Sequence, residues 1–497
     1  MALPDSGSPW PPPQWAPIYD RIRVDDAWYS GDARRLARLR GDGQDQPGRR
    51  RTWGRRSQPA PGRETRLHVP LAGDIATTSA DLLFADMPAI RAVERTTQAR
   101  IETLLDEGRV QHTVLGGAEQ AAALSGVFLR VTWDKALVGR PLFTVVQPDA
   151  AIPEFRFGML RACTFWAELP TSDPGAVWRH FERHEPGRVV HALYRGTSDN
   201  VGRPVPLTEH PETADLAASL DPDGDGQSIS TGIPLLTCAY VPNIGPNRLH
   251  RGSPIGRSDF AAPLYDLFES LDEVWTSWMR DIRLARARLI VPAGYLRSNG
   301  PGQGASFDGD REVYEQLNMP PTEKGAGITL NQFDIRVAEH QQTAEAIMRQ
   351  AAQSAGYSAQ SFGLHGQGEA ITATESDSRD QRSMVTRKKK TGYWRHALAD
   401  MLHVMLWLDV AQFGTRITPE RPSVEFGDGV AESEQQTATT LDLLARAGAV
   451  STGTKVRILH PEWDDTAVQA EVAAILAETG AAAPDPVGSF PFAVAPA

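Results

Sequence analysis

The sequence predicts an α+β protein in which helices predominate. Two patterns support this class. Apolar residues recur at helical spacing through residues 264–282, whereas residues 127–146 alternate between apolar and polar residues with the period of two that is typical of strands. A third observation is size, because 497 residues, of which 41% are hydrophobic, are enough for about three domain-sized units.

Residues 1–64 are predicted to form an N-terminal arm followed by a mobile segment. Three consecutive prolines favour an extended chain over residues 1–17. A helical pattern over residues 19–39 is broken at Ser30-Gly31-Asp32. Residues 41–64 are rich in Gly, Pro and Arg, and this composition favours mobility over packing.

Residues 65–262 are predicted to be a mixed region of helices and short strands. One helical pattern begins near Leu71, and another spans residues 97–124, where Gly116 and Gly117 interrupt it. Strand patterns follow in four short stretches, at residues 127–133, 142–146, 161–169 and 188–195.

The best-patterned helix of the sequence lies at residues 263–290. Its apolar residues form a continuous stripe along one face of a rod about 40 Å long. Four of them are expected to pack between helices, either within one chain or between the subunits of an oligomer: Leu271, Trp275, Trp278 and Ile282.

The chain after this helix is predicted to contain a strand-and-loop module, a helix, a Gly-rich loop and a long helix, at residues 291–335, 336–356, 357–370 and 371–413. The first half of the long helix is polar nearly all round, and its second half is strongly apolar. This contrast is typical of a helix that crosses solvent or bridges domains and is embedded in a core at one end. Two further helices are expected within 432–480, and residues 481–497 predict a disordered tail.

Composition limits the classes of function. The net charge of −11 is opposite to the basic excess of proteins that grip DNA tightly, so any contact with DNA is expected to be loose or local. Cys163 and Cys238 are too few for a disulfide framework or a four-cysteine zinc site. No secretory signal and no apolar window of membrane-spanning length is visible, so we expect a protein made and used in solution, without a membrane partner.

No constellation of residues predicts catalysis, a cofactor or a metal. The sequence has no Gly-x-x-x-x-Gly-Lys phosphate loop and no Gly-x-Ser-x-Gly elbow. Residues 221–226 resemble the first half of a calcium loop, but Gly232 occupies the position of the bidentate Glu, which favours a surface turn. His396 and His403 are two helical turns apart, too far for a shared metal, and are expected in the core or an interface. We therefore do not expect an enzyme.

Several segments carry a resemblance to a known family: LHVPLAGDIATTSADLLFADMP (67–88), the helix with Tyr-Asp and two tryptophans (265–278), GYSAQSFGL (356–364), ITATES (371–376) and LHPEWDD (459–465). In this order they resemble the portal proteins of tailed siphophages, of the SPP1-like type found in actinobacteriophages. The similarity spans about residues 10–480 and is weak at residues 41–64 and 196–232.

This resemblance implies a virion protein that is assembled in the host cytoplasm as a dodecameric ring. The ring would form the channel at one capsid vertex through which double-stranded DNA is packaged and ejected. The resemblance also implies an assignment of parts: wing (65–262, and 371–431 for the long helix and its return), stem (263–290 and 336–356), clip (291–335), tunnel loop (357–370) and crown (432–480).

The implied partners are other copies of the chain, the major capsid protein, the terminase large subunit, the later head–tail adaptor and the DNA in the channel. The clip residues expected to dock terminase and adaptor are Tyr295, Arg297, Phe307 and Tyr314. The tunnel-loop residues expected to face DNA are Gln360, Ser361, Phe362, Leu364, His365 and Gln367. Because residues 361–370 contain no Lys or Arg, this loop can slide along DNA without gripping it.

A basic helix patch is predicted at Arg387, Lys388, Lys389 and Lys390. It could face DNA, an acidic surface of a neighbouring subunit, or only solvent, and the sequence leaves these readings open. An alternative function, a nuclease-like DNA-processing enzyme, would use this patch to hold its substrate. A further alternative is another virion structural protein, such as a minor head component.

Overall fold

The chain forms two compact units in this computed structural model, Met1–Phe426 and Gly427–Ala497. The structure describes residues 3–40, 66–217, 220, 227–261, 264–285, 288–290, 297–298, 305–306, 329–331, 335–364, 373–427, 434–460, 463 and 465–478.

Within these ranges helical residues outnumber strand residues, as the predicted α+β class requires. The helices are α1 (Ala16–Ser30), α2 (Ala33–Leu39), α3 (Leu71–Phe84), α4 (Arg95–Glu107), α5 (Val110–Leu124), α6 (Pro211–Ala217), α7 (Leu264–Leu284), α8 (Val337–Ala355), α9 (Ala373–Phe413), α10 (Glu434–Arg446), α11 (Thr452–Leu459) and α12 (Asp465–Glu478). None of the described helices combines the length and apolar content needed to cross a bilayer.

The strands are short and pair antiparallel. They are β1 (Ala89–Arg91), β2 (Gly126–Thr132), β3 (Leu142–Val146), β4 (Ala151–Arg156), β5 (Met159–Leu169), β6 (Val177–Glu185), β7 (Arg188–Thr197), β8 (Asn200–Val205), β9 (Ser228–Ser230), β10 (Cys238–Pro242), β11 (Arg288–Ile290), β12 (Arg297–Ser298), β13 (Ala305–Ser306), β14 (Thr329–Asn331) and β15 (Ser423–Glu425).

The largest sheet runs in the order β4-β5-β6-β7-β8, with β9 paired to β7. The sequence pattern does not predict β6, because six of its nine residues, VWRHFERHE, are Arg, Glu or His. Its buried arginines are paired across the sheet: Arg179 Nη2 lies 3.1 Å from Glu168 Oε1, and Arg183 Nη1 lies 2.8 Å from Glu154 Oε1. Cross-strand ion pairs thus replace the apolar alternation on which strand prediction depends.

Residues 3–15 of the N-terminal arm contain no helix and lie along this sheet, whereas α1 begins at Ala16, two residues inside the stretch predicted to be extended. The Trp10 amide donates a hydrogen bond to the carbonyl of Asp199, at 2.8 Å. The buried Trp10 ring packs edge-on against Trp166 and Phe181, with ring centroids 4.7 and 5.4 Å apart. One tryptophan therefore fixes the arm to the sheet.

The predicted break at Ser30-Gly31-Asp32 is confirmed. Gly31 ends α1 with φ at 62°, in the left-handed region that favours glycine. The Asp32 carboxylate then caps α2 by accepting hydrogen bonds from the amides of Arg34 and Arg35, at 2.7 and 3.1 Å.

The predicted interruption at Gly116 and Gly117 is wrong. The helical stretch breaks instead at Arg109, whose φ is 48°, and both glycines lie inside α5. A Cβ on Gly117 would lie 2.9 Å from a methyl group of Val145 and 3.6 Å from the Trp394 ring. Gly117 is therefore needed for close packing and does not end the helix.

The larger hydrophobic core joins α3, α5 and the C-terminal half of α9 to the sheet β3-β2-β10. In its centre, the buried Trp394 ring packs edge-on against Phe84, with centroids 4.9 Å apart. At one side, Arg100 of α4 binds Asp409 of α9 through two hydrogen bonds of 2.8 and 2.9 Å. The predicted embedding of the apolar half of the long helix is confirmed.

A second hydrophobic core joins α1, α3, α7 and α8. Leu271 is fully buried in it and Trp275 packs against it, whereas Ile282, near the end of α7, is 41% exposed. The apolar stripe of α7 is therefore intrachain core in its first half and partly exposed in its second half.

The helices α7 and α8 pack on each other and form the α7–α8 hairpin (residues 264–355). At its far end β11 pairs with β14, and β12 pairs with β13. The predicted strand-and-loop module thus begins and ends on one strand pair, and most of residues 291–335 lie outside the described residues.

The second unit contains α10, α11 and α12. The sequence predicts two helices here, and the structure has three, because a separate helix, α11, begins after Ser451, whose hydroxyl accepts a hydrogen bond from the Thr454 amide at 3.3 Å. Helices α11 and α12 contact each other and bury Val456 and Val468.

Candidate functional site

The candidate site is the segment that leaves the α7–α8 hairpin, residues 356–364, together with the face of α9 on which it lies. Helix α8 ends at Gly356, whose φ is 102°. A Cβ at this position would lie 2.9 Å from the Thr386 hydroxyl, so only glycine fits the close approach to α9. A short 3₁₀ turn, Gln360–Phe362, follows.

A buried polar face of α9 receives this segment. Ser383, Thr386 and Lys390 are spaced at helical intervals and are all buried. The Ser383 hydroxyl accepts a hydrogen bond from the Ser358 amide at 2.8 Å, and the Thr386 hydroxyl donates to the Gly356 carbonyl at 2.6 Å. The polar half of α9 is therefore not solvated all round, since one face of it binds the hairpin exit.

Lys390 is the centre of a buried hydrogen-bond network. Its ammonium group lies 2.6 Å from the Ser79 hydroxyl of α3, 2.6 Å from the carboxylate of Asp259 and 2.9 Å from the Tyr357 hydroxyl. The Tyr357 hydroxyl in turn donates to Asp259 at 2.8 Å. All three ammonium donors are used, as a buried cation requires.

Burial and charge act in opposite directions on this network. Burial lowers the pKa of Lys390, and the carboxylate of Asp259 works against that change. Burial, followed by the charge of Asp259, raises the pKa of the Tyr357 hydroxyl well above its usual range. The tyrosine hydroxyl therefore stays protonated and remains a donor to the carboxylate.

The prediction that residues 387–390 form a single basic surface is wrong. Lys388 and Lys389 are exposed, but Lys390 is only 2% exposed and faces the interior. The half-buried Arg387 donates from Nε to the Leu82 carbonyl at 2.5 Å. Because the helix turns by about 100° per residue, four consecutive residues cannot share one face.

The predicted tunnel-loop residues divide into two groups. Gln360, Ser361, Phe362 and Leu364 are half-buried, and the Ser361 hydroxyl lies 2.9 Å from that of Ser383. A cavity of about 320 Å³ lies beside them, lined by Leu71, Asp74, Thr77, Thr78, Met348, Ser361, Phe362 and Leu364. His365 and Gln367 lie outside the described residues, and a contact of this loop with DNA stays a prediction.

The predicted stem-packing residues are brought together with a polar cluster that the sequence does not reveal. The Trp275 and Trp278 rings lie 5.2 Å apart, and the Trp278 ring stacks on His340 of α8 at 5.9 Å. His340 Nε2 and Arg336 Nη2 lie 2.9 and 3.0 Å from the Asp281 carboxylate. These hydrogen bonds, that of His340 first, lower the pKa of Asp281 and join the two helices.

Of the predicted clip-docking residues, Arg297 lies in β12, where only the backbone is described. Tyr295, Phe307 and Tyr314 lie outside the described residues, as do the calcium-like residues 221–226. Docking at the clip stays a prediction.

The described residues offer no group of three or more His, Cys, Asp or Glu side chains that could hold a metal ion. Of the two helix histidines, His396 is exposed and His403 is half-buried, at 2.9 Å from the indole nitrogen of Trp407. Neither lies in the core, and the alternative position in an interface stays a prediction. Cys163 and Cys238 are free, buried thiols.

A histidine cluster that the sequence pattern does not predict lies on β6 and β7. His191 Nδ1 and His180 Nε2 are 3.2 Å apart, and His184 Nε2 lies 2.9 Å from the Glu182 carboxylate, which also binds Arg130 at 2.6 Å. Burial lowers the pKa of His191 to about 4 and lowers the pKa of His180. The side chains of His180 and His191 are therefore neutral near pH 7.

Two solved structures show a distant similarity to this chain. A chain of the structure titled "Neck of native GTA particle computed with C12 symmetry" is 14% identical, with a TM-score of 0.37, over 79% of this chain and 89% of that chain. A chain of the "Virion of native gene transfer agent (GTA) particle" is also 14% identical, with a TM-score of 0.36, over 86% of this chain and 98% of that chain. No curated protein matches the sequence.

A family model gives the decisive comparison. The model described as "Phage portal protein, SPP1 Gp6-like" matches residues 200–485. The match covers more than half of the 497 residues and includes α7, α8 and α9, which build the candidate site. The protein therefore belongs to the SPP1 Gp6-like family of phage portal proteins.

Proposed function

We propose that this portal protein forms a closed ring of about twelve subunits at one capsid vertex, with a central channel for double-stranded DNA. The observation that carries the proposal is the family match over residues 200–485, which contains the complete α7–α8 hairpin and α9. In this ring, α7 and α8 are the stem, residues 291–335 the clip, residues 357–370 the tunnel loop and residues 432–480 the crown. The wing comprises residues 65–262 and 371–431.

The charge of the chain suits a channel that lets DNA pass. A net charge of −11 opposes tight binding to phosphates, since few counterions are released when DNA enters. The tunnel-loop stretch 361–370 adds no Lys or Arg. DNA therefore slides through the ring, and the driving force comes from a separate ATPase, because this chain has no phosphate-binding loop.

The partners follow from the same proposal. The clip exchanges the terminase large subunit for a head–tail adaptor, and the wing contacts the major capsid protein. The chain itself carries out no covalent chemistry, in keeping with a structural family. The assembled ring is a virion component that forms in the host cytoplasm before it joins the capsid.

Electron microscopy of the purified full-length protein tests the proposal. End-on class averages should show rings with about twelvefold symmetry and a channel wide enough for duplex DNA. Compact monomers or dimers at micromolar concentration would overturn it, and magnesium-dependent cleavage of DNA would favour the nuclease-like alternative. Particles without a central channel would indicate a different virion structural protein.

A further inference from the structure

One ammonium group joins the start and the exit of the α7–α8 hairpin to the body of the chain. Asp259 lies five residues before α7, and Tyr357 lies two residues after α8. Lys390 of α9 binds both, at 2.6 and 2.9 Å, and also binds Ser79 of α3. Residues almost a hundred positions apart in sequence are thus held at a single point.

The start of the hairpin is further fixed by hydrogen bonds to its neighbours. The second carboxylate oxygen of Asp259 accepts from the Asn243 side chain at 2.8 Å, and the Asp259 amide donates to the Ala122 carbonyl at 2.9 Å. Asp259 is 2% exposed and Phe260 is fully buried. The carboxylate that pairs with Lys390 therefore cannot follow a displaced hairpin without breaking its other hydrogen bonds.

The exit of the hairpin is fixed to α9 at three successive points. Thr386 holds the Gly356 carbonyl, Lys390 holds the Tyr357 hydroxyl, and Ser383 holds the Ser358 amide. The bonded atoms belong to consecutive residues, and their partners lie on one face of one helix. Residues 356–358 therefore have one favourable position relative to α9.

A buried ion pair adds little net stability, because desolvation offsets its Coulombic attraction, but removal of one partner is strongly destabilising because it leaves an uncompensated buried charge. The four members of the network, Lys390 and its partners Ser79, Asp259 and Tyr357, come from four separate segments of the chain. An apolar cluster of the same size would tolerate small shifts of these segments, whereas charged groups that need short hydrogen bonds do not.

We propose that Lys390 is a positioning residue that makes the α7–α8 hairpin and the base of the loop after it move with α9 as one body. The inference rests on the proposed portal function, in which these elements are the stem, the tunnel-loop base and the long wing helix. In the ring, Lys390 sets where the tunnel loop begins relative to the channel. Its role is thus internal, in contrast to the DNA or subunit contact that its place in a basic stretch suggests.

Hydrogen–deuterium exchange on the full chain tests this role directly. Lys390→Met keeps the length of the side chain and removes its charge, which leaves Asp259 buried without a cation. The amides of residues 356–362 and of Asp259 and Phe260 should then exchange at least about tenfold faster. Asp259→Asn, which removes the other charge while keeping an acceptor, should give the same local effect.

The matched control is the ion pair between Arg100 of α4 and Asp409 of α9, in which the Asp409 side chain is fully buried and the Arg100 side chain is 24% exposed. Arg100→Met leaves Asp409 unpaired and lowers the melting temperature, but Arg100 and Asp409 do not contact the hairpin ends. It should speed exchange near α4 and leave residues 356–362 unchanged. Equal acceleration at 356–362 in both variants, or no acceleration in Lys390→Met, would refute a positioning role.

A second readout separates this inference from the proposed function. In phage particles assembled with Lys390→Met, the ring should be incorporated but the amount of packaged DNA should fall severalfold. Particles with Arg100→Met should package normally once they are assembled. If particles with Lys390→Met package DNA normally despite faster local exchange, the proposed positioning role in the channel is wrong. If the wild-type chain does not form rings, the portal proposal is wrong, but the exchange experiment still tests whether Lys390 fixes the hairpin to α9.

Discussion

At the scale of single residues, burial in this protein decides the role of charged groups more than their type does. Lys389 and Lys390 are neighbours in sequence, yet the first is exposed and the second is surrounded by Ser79, Asp259 and Tyr357. The sequence shows both as members of one basic run. The difference becomes visible only when α3 and the residues before α7 are brought to the same face of α9.

The histidine cluster of β6 and β7 predicts an acid-sensitive fold. Burial holds the pKa of His191 at about 4, below the value of about 6.5 for an unfolded histidine, so the unfolded chain takes up this proton first. The contribution of His191 to the free energy of unfolding should be fully present above about pH 6.5 and should be lost as the pH decreases towards 4. The contribution of His191 is about 3 kcal/mol at most.

Denaturant unfolding at a series of pH values measures this effect. His191→Gln should flatten the loss of unfolding free energy between pH 6.5 and 4, and the exposed His112→Gln on α5 should not. His180, His184, Glu182 and Arg130 face His191, and all four side chains are kept in both variants. An unchanged slope in His191→Gln would show that this histidine does not titrate in the folded state as described.

At the scale of elements, two adjacent glycines of α5 have opposite requirements. A Cβ on Gly116 would meet no atom within 4 Å, whereas a Cβ on Gly117 would crowd Val145 and Trp394. Gly116→Ala should stabilise the protein by about 0.5–1 kcal/mol, because alanine restricts the unfolded chain and favours the helix. Gly117→Ala should destabilise it by about 1 kcal/mol or more through overpacking.

Thermal unfolding of the two alanine variants side by side is the measurement. They differ by one position in the same helix, so helix propensity cancels in the comparison and packing remains. Equal melting temperatures would contradict the close contact between α5 and the Val145 side chain. A higher melting temperature for Gly117→Ala would mean that the core has room at this point.

Helices and their ends could be predicted from sequence where a local pattern of residues determines them. The amphipathic stripe of α7, the helix break at Gly31 and the apolar half of α9 are local patterns, and each appears as predicted. Strand β6 was missed because its stabilising contacts are ion pairs with β5 and other neighbours. The break at Arg109 was misplaced because glycine in a helix marks either an end or a close approach, and sequence does not distinguish these.

The candidate site was predicted only as a stretch of chain. The sequence indicates residues 356–364 and the helix that follows, but it carries no signal for their partners Ser79 and Asp259. These partners depend on contacts between segments more than a hundred residues apart. A lysine at the boundary between the polar and apolar halves of a helix was the one local hint of a buried cation.

At the scale of the whole molecule, the two units should unfold separately. The two hydrophobic cores described above consist of residues up to 426, and the second unit contains α10 to α12. A chain ending at Phe426 should therefore keep its helical content and melt within about 2 °C of the full chain. Circular dichroism melting of both chains measures this, and a truncated chain that fails to fold would show that the first unit depends on the second.

The length of α9 has a mechanical consequence. Its 41 residues form a continuous rod of about 60 Å, held in the core at one end and bonded to the hairpin exit near its middle. Such a rod rotates as a rigid body about the part of it that is held in the core, around Leu402. A tilt of about 5° there displaces the other end by about 4 Å, and the displacement at Thr386 is about half as large. A small rotation at the core around Leu402 is thus amplified at the opposite end of α9, near residue 373.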